Sequence, residues 1–494
     1  MLKIENLNVR YLGRSKPAVS DLSMTINTGE IVLLAGSSAS GKSTIMQAAC
    51  GFIPHIIPAE ISGVIKLDGQ VYDDPSTIAG VACMVQQDPE TQFCTETVEE
   101  EVAFGPENFR YSNERIRESV DKALASVKAD HLKDRTLSTL SGGEKQKVAI
   151  ASMLALSPRL LILDEPTASL DPRSIGQVVS AVESIKSVAD ITVIVVEHRI
   201  KDFIDLVDRL IVIDEGKLSL DSHRGEEGFM VERDRARVPP DYPSPKDRED
   251  VPIITVRGLS LEIGGWQILD DVSLDIRKNS VMALMGENGS GKTTLLRHII
   301  GLQRIQEGEI TVCGHRMTRS SAIDAWTLGR DVGFVFQNPN HQIFEDTVEQ
   351  EVLFAARNFL TPVTKAEEAI TEFEERERLK RFVHPHCLSF GQKRRVNILS
   401  AYSHEPQVLL MDEPFAGQDQ ANVDAIASMA NDIHGMGKTL VIVTHDPDFA
   451  RRFCTDVAVL HEGRVVAAGP VESILDAVWR NLRGEARDDY QGQS

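Results

Sequence analysis

Two consecutive α/β domains, each built on a mostly parallel sheet, are what this sequence predicts, and three observations predict them. The glycine-rich stretch "GSSASGKST" at 36–44 recurs as "GENGSGKTT" at 286–294, 250 residues on. "LLILDEP" at 160–166 recurs as "VLLMDEP" at 408–414, and "TVIVVEH" at 192–198 as "TLVIVTH" at 439–445, so the order and spacing of the motifs are kept. Within each copy, runs such as "IVLLA", "RLLILD" and "ITVIVV" are continuously apolar at strand length, the pattern of parallel strands covered on both faces. A repeat of this length is a tandem duplication of a domain.

Composition narrows the class. With 494 residues, 42% of them hydrophobic and 26% charged, each half can bury a full core. The 53 basic residues against 74 acidic ones argue against a phosphate-backbone binder, whose affinity comes largely from Lys and Arg displacing counterions. Six scattered cysteines with no CxxC pair suit reduced thiols and offer no zinc site, and all six read as packing residues. The N-terminal "MLKIENLNVRY" is no signal peptide, and no apolar run approaches the ~18 residues of a membrane helix, so the chain is not expected to cross a membrane by itself. Domain 1 is expected over 1–222 and domain 2 over 253–482, joined by a charged, proline-rich, solvated linker at 223–252 and followed by a polar tail at 483–494.

The candidate site follows the strands. Gly36, Ser37, Ser38, Ala39, Ser40, Gly41, Lys42, Ser43 and Thr44 fit the phosphate-binding pattern G-x-x-x-x-G-K-[ST], as do Gly286, Glu287, Asn288, Gly289, Ser290, Gly291, Lys292, Thr293 and Thr294. Glycines let successive backbone N–H groups and the next helix N-terminus face a polyphosphate; the lysine reaches the β- and γ-phosphates, and Ser43 or Thr293 binds Mg²⁺. Asp164 and Asp412 each end an apolar strand, where a carboxylate holds Mg²⁺ through water, and Glu165 and Glu413 follow as candidates to polarise an attacking water. A lone Asp-Glu step usually only caps a turn. Two steps, each downstream of a P-loop and a strand, favour catalysis.

"LSGGE" at 140–144, about twenty residues before "LDEP", with Gln87 and His198 in place, resembles the ATP-binding-cassette (ABC) ATPases over nearly all of both halves. The resemblance implies P-loop cassettes that each add an antiparallel β subdomain and a helical subdomain carrying the signature loop. It implies head-to-tail pairing of the cassettes, with Ser141, Gly142 and Gly143 on the ATP held by Lys292, and Ser389, Gly391 and Gln392 on the ATP held by Lys42. It further assigns Gln87 and Gln337 to Mg²⁺ and the transport partner, His198 and His445 to the γ-phosphate, Asp171 and Asp419 to the D-loop, and Tyr11 to adenine stacking, where the second copy has Ile263 and, three residues on, Trp266. ATP and Mg²⁺ are the implied cofactors.

The segments after Gln87 and Gln337, "VQQDPETQFCTETVEEEVAFGPEN" and "VFQNPNHQIFEDTVEQEVLFAARN", resemble the ATPases of energy-coupling-factor importers. That likeness implies an integral-membrane scaffold and a separate substrate-binding membrane subunit as partners, at the cytoplasmic face of the cell membrane. Thr97 with Glu100 and Thr347 with Gln350 read as capping boxes; the first helix would carry Val98 and Val102 on one side, beside Glu99 and Glu101 available to a scaffold. A fused sugar-importer ATPase has similar length without this segment, and a ribosome- or DNA-acting cassette would be expected to show a basic linker, a CxxC motif or a heptad insertion. "LSFGQ" at 388–392 departs from the pattern, with Phe390 where the first copy has Gly142. A phenylalanine there keeps its N–H but is expected to restrict the backbone and to add a side chain needing space, and so to alter the site facing Lys42.

Overall fold

The computed structural model describes residues 1–14, 16–72, 75–78, 80–168, 170–186, 191–237, 249–321, 323–377 and 381–475. The chain divides into two compact units, residues 1–239 and 240–494. Each holds a six-stranded sheet. In the first the strand order is Ala82–Val85, Leu160–Asp164, Thr192–Glu197, Ile31–Ala35, Arg209–Asp214, Lys217–His223. In the second it is Val332–Val335, Val408–Met411, Thr439–Val443, Val281–Gly286, Asp456–His461, Arg464–Pro470. The first five strands of each sheet run parallel and the sixth turns back antiparallel.

The apolar runs explain the layering. Along Ile31–Ala35 every residue is buried, yet alternate side chains enter different cores. Val32 and Leu34 pack with Ile45 and Met46 of the helix Lys42–Ala49 and with Leu2, Ile4 and Ile26 of the antiparallel sheet Val19–Ile26, Leu2–Tyr11, Ala59–Leu67. Ile31 and Leu33 face the opposite layer, where Val98, Val102, Val120, Val148, Val178 and Val182 come from four helices. The second unit repeats this, with Met282 and Leu284 on one side and Val281, Ala283 and Met285 on the other. Its antiparallel sheet gains a fourth strand, in the order Trp266–Arg277, Pro252–Ile263, Glu307–Val312, His315–Thr318.

Two expectations change. Part of the segment read as solvated linker is folded: Glu227–Arg237 is a helix. Phe229 is 1% exposed there and joins the first core, with its N–H donating to Ser222 Oγ at 3.0 Å. One aromatic anchor among charges left no periodic signal to read. The middle of that linker, 238–248, and the tail at 483–494 lie outside the described residues. Nor are all cysteines packing residues, because Cys94 and Cys387 are exposed. Burial pushes the Cys83 and Cys313 thiols up to about 12, and those of Cys50 and Cys454 higher still. A thiol reagent on the native chain is therefore expected to label Cys94 and Cys387 first, then partly buried Cys313, with Cys50, Cys83 and Cys454 following only on denaturation; peptide mapping by mass spectrometry checks this. Among the described residues no helix is long and apolar enough to cross a membrane.

Candidate active site

Both glycine-rich loops leave a central, fully buried strand and enter a helix, Lys42–Ala49 or Lys292–Ile299. Two glycines in each are required by geometry. Gly36 and Gly286 sit at φ +148° and +147°, and a Cβ there would stand 2.2 Å from the carbonyl oxygen of Ile213 or Leu460. Gly41 and Gly291, at φ +102° and +100°, form the left-handed helix caps. The lysine Nζ atoms are held inside the loops: Lys42 donates to Gly36 O and Ser37 O at 2.8 Å each, and Lys292 to Gly286 O and Glu287 O at 2.9 and 2.7 Å. A loop that folds its carbonyls onto a buried ammonium and leads into a helix N-terminus is shaped for a polyphosphate.

The sheet delivers the acidic residues to the same place. Ser43 Oγ donates to Asp164 Oδ1 at 3.1 Å, and Thr293 Oγ1 lies 3.1 and 2.9 Å from the two Asp412 oxygens. This hydroxyl–carboxylate pair is a hard oxygen donor set and fits Mg²⁺. Burial pushes the Asp164 carboxyl up to about 6, against the Ser43 hydrogen bond, and burial raises Asp412 too. The next residues, Glu165 and Glu413, are non-glycine residues at φ +47° and +46°. Such backbone is costly and turns each carboxylate out of the strand toward two partners.

Those partners are the predicted glutamines and histidines. Gln87 Nε2 donates to Glu165 Oε2 at 3.0 Å and Gln337 Nε2 to Glu413 Oε2 at 3.1 Å. The histidines differ. His445 Nε2 lies 2.8 Å from Glu413 Oε1, whereas His198 Nδ1 lies 3.8 Å from Glu165 and 3.7 Å from Glu197 and has no hydrogen-bond partner. Burial alone would raise Glu413, but His445, Lys292 and the Gln337 bond outweigh it and its net shift is downward. Burial alone would lower His198, but Glu165 and Glu197 outweigh it and raise it. Glu197, fully buried and accepting from Thr167 Oγ1 at 2.5 Å, stands where the second unit has Thr444; nothing in "TVIVVEH" marked it as a neighbour of the site.

The remaining candidates lie elsewhere in each unit. Tyr11 ends its strand beside the P-loop helix, its phenol 2.9 Å from Thr44 Oγ1. Ile263 and Trp266 instead pair across an exposed hairpin tip, 52% and 76% exposed. Asp171 and Asp419 cap the helices Pro172–Ile185 and Gln420–Gly435. Ser141 and Ser389 cap the signature helices Gly142–Leu154 and Phe390–Tyr402, each closing a capping box, with Glu144 and Gln392 respectively.

Here the backbone half of the expectation for Phe390 is corrected, and the need for side-chain space stands. Neither Gly142 nor Gly143 has positive φ, and Phe390 takes the first helical position in the second copy, so no backbone angle forbids a side chain. The constraint is space: a Cβ on Gly142 would lie 2.9 Å from Leu170 Cδ2. The second unit has Gln418 in place of Leu170 and Arg394 in place of Gln146, and the Phe390 ring, 43% exposed, lies 5.8 Å from the Arg394 guanidinium. The next glycine is the tighter one, since a Cβ on Gly391 would strike Asn422 at 2.4 Å and one on Gly143 would strike Ser174 and Gln177 at 2.9 Å.

The helices after the Q-loops bring a second correction. Thr97 and Glu100 form the full capping box, but at Thr347 the N-cap bond forms while its hydroxyl bonds the Gln350 side chain. Val98 and Val102 share one side of the helix, as expected, and that side is buried. Glu101, expected beside Glu99 on the outer face, is 5% exposed and accepts from Cys94 N, Thr95 N and Thr95 Oγ1 at 2.9, 3.1 and 2.9 Å. It pins the loop before the helix, as Glu351 pins Phe344 N and Glu345 N. Glu99 stays half-exposed, 3.4 Å from Lys133.

Residues 19–168 and 269–416 each match the ABC transporter family. The chain is 31% identical to a putative ABC transporter ATP-binding protein of Methanosarcina acetivorans, over 96% of this chain and 87% of that one. It is 33% identical to a putative HMP/thiamine import ATP-binding protein of Bacillus subtilis, over 94% and 90% of the two chains. Among solved structures, cbiO1 of Clostridium perfringens, part of the ABC transporter complex cbiONQ, is 32% identical and covers 48% of this chain and 95% of its own, with a TM-score of 0.43.

Proposed function

Because the chain belongs to the ABC transporter family and is an ATPase working on ATP with Mg²⁺, we propose that it is the energy-coupling subunit of an energy-coupling-factor importer for a vitamin, vitamin precursor or metal ion. It would sit on the cytoplasmic face of the membrane, bound to an integral scaffold, while a separate membrane subunit binds the cargo.

The observation that carries this reading is the surface behind each Q-loop. The capped helix Val98–Asn108 buries Val98 and Val102 and exposes the Glu99 carboxylate and, five residues on, Phe104. Its counterpart Val348–Asn358 exposes Phe354, whose ring meets exposed Phe344 edge to face at 4.7 Å. Aromatic side chains in solvent beside acidic groups suit a basic, apolar-tipped segment of a membrane protein. The similarity to the Bacillus thiamine-import ATPase supports the same reading.

The nucleotide roles belong to the same proposal. Mg²⁺, when bound, would supply charge that neutralises phosphate oxygens. In the chain itself, Lys42 and Lys292 would exchange their loop carbonyls for phosphate oxygens, and Ser43 with Asp164 and Thr293 with Asp412 would hold the metal. Glu165 and Glu413 orient the attacking water, positioned by Gln87 and Gln337, while His198 and His445 face the γ-phosphate. If the cassettes pair head to tail, as the family resemblance implies, the signature loops Ser141–Gly143 and Ser389–Gln392 would complete the sites, with Lys292 taking the glycine-rich partner and Lys42 the one with Phe390.

The experiment is co-purification in mild detergent. Glu99→Lys is expected to weaken retention of the membrane scaffold while leaving ATP turnover and thermal stability unchanged. Glu101→Lys instead buries an ammonium against three donors, and is expected to cost several kcal/mol and lower the melting temperature. Ribosomes or DNA retained by the wild-type chain, with no membrane protein, would refute the importer reading.

A further inference from the structure

The two Q-loops are fastened differently to their own signature helices. In the second unit Arg394, completely buried on the helix Phe390–Tyr402, donates from Nη1 to Phe336 O and from Nη2 to Gln337 O. One turn on, Asn397 Nδ2 donates to Pro339 O at 3.0 Å, and its own carbonyl accepts from Gln342 Nε2 at 3.0 Å. Lys393 reaches Asn340 Oδ1 at 2.9 Å. In the first unit the matching residues are Gln146 and Ala149: Gln146 Nε2 is buried with no hydrogen-bond partner, and Ala149 has no polar side chain. There the Gln92 side chain turns back to Met84 O at 3.2 Å, and the ion pair of Lys145 with Glu90 makes the link to the helix.

We propose that Arg394 is a positioning residue that stitches the second unit's Q-loop to its signature helix, so that Gln337 meets Glu413 from a fixed loop, whereas Gln87 meets Glu165 from a looser one. This rests on the reading of Gln337 and Glu413 as nucleotide-site groups. A planar guanidinium fork spanning two successive carbonyls fixes both the position and the tilt of that peptide, which a lysine or glutamine in its place does not. Phe390 belongs to the same device, because its ring covers the guanidinium from the solvent side of the helix. The stitch also makes the signature helix and the catalytic end of the second sheet move together.

Amide hydrogen exchange of the full chain tests this, since both loops carry matching protected amides: Gln86 N and Phe336 N on the Gln92 and Gln342 side chains, and Gln92 N and Gln342 N on Pro89 O and Pro339 O. In the wild type, peptides over 336–342 are expected to exchange more slowly than those over 86–92. Arg394→Gln, the residue the first unit uses, is expected to speed exchange over 336–342 about tenfold and leave 86–92 alone, with Arg394→Lys in between. The same variant is expected to lower kcat with the KM for ATP held. Equal exchange of the two loops in the wild type, or unchanged exchange in folded Arg394→Gln, would overturn the proposal. Should Arg394→Gln fail to fold, Asn397→Ala decides by the same comparison, expected to speed exchange over 336–342 by a smaller factor. If Gln337→Ala and Glu413→Gln both left turnover intact, the nucleotide-site reading would fall while the exchange comparison still decided the stitch.

Discussion

Lys42→Ala combined with Lys292→Ala abolishes ATP turnover, the largest effect expected of any pair of substitutions in this chain. Each ammonium sits inside its loop within 2.9 Å of two carbonyl oxygens. Each is the positive charge that a β- or γ-phosphate would meet there. Loss of one well-aimed donor at a developing charge costs on the order of 100-fold or more, and both sites lose theirs. Because the substitution also leaves those carbonyls without their donor, thermal unfolding must accompany the assay. Undiminished hydrolysis in a folded double variant would remove the P-loops from the reaction.

Glu413→Gln is expected to cost far more turnover than Glu165→Gln, measured in the complex with the membrane scaffold. In the head-to-tail pairing that the family resemblance implies, Glu413 would meet Ser141-Gly142-Gly143 and Glu165 would meet the loop with Phe390. The geometry within each unit leans the same way. His445 is hydrogen-bonded to Glu413 at 2.8 Å and helps hold it ionised, while His198 stays 3.8 Å from Glu165 and shares its attention with buried Glu197. An ionised carboxylate fixed by both a glutamine and a histidine is the better-prepared group for orienting water. We expect loss on the order of 100-fold for Glu413→Gln and only a few-fold for Glu165→Gln. Equal losses would mean that Phe390 changes little and that the two sites share the work.

What was legible in the sequence was whatever repeats or alternates. The parallel strands announced themselves as apolar runs because both faces are covered, and the P-loops because Gly36, Gly41, Gly286 and Gly291 occupy backbone that other residues rarely adopt. The Asp–Glu steps were visible as well, although not the positive φ of Glu165 and Glu413 that aims them. Illegible features depend on one side chain finding one partner across the fold. Phe229 looked like a stray aromatic in a charged linker. Glu101 looked like one more acidic residue on a wet helix face, because nothing in "TVEEEVAF" reveals that the loop before it curls back with three donors. Phe390 invited a backbone explanation because glycine so often serves backbone freedom, whereas here Gly142 serves a neighbour's bulk. Arg394 is one of three consecutive basic residues in "QKRRV", and nothing in that run points to the two carbonyls its fork meets.

Gly142, Leu170 and Gln146 in one half, and Phe390, Gln418 and Arg394 in the other, are alternative solutions to the same local packing problem. A phenylalanine brought alone into position 142 would press on the Leu170 side chain, which must give way to admit it. Two copies of a domain in one gene invite DNA repair to write one half over the other. A converted tract that put phenylalanine at 142 but stopped short of 170 would leave that leucine in place, whereas a longer tract would bring glutamine with it. Sterics thus weigh, if lightly, against the two halves being made alike one residue at a time.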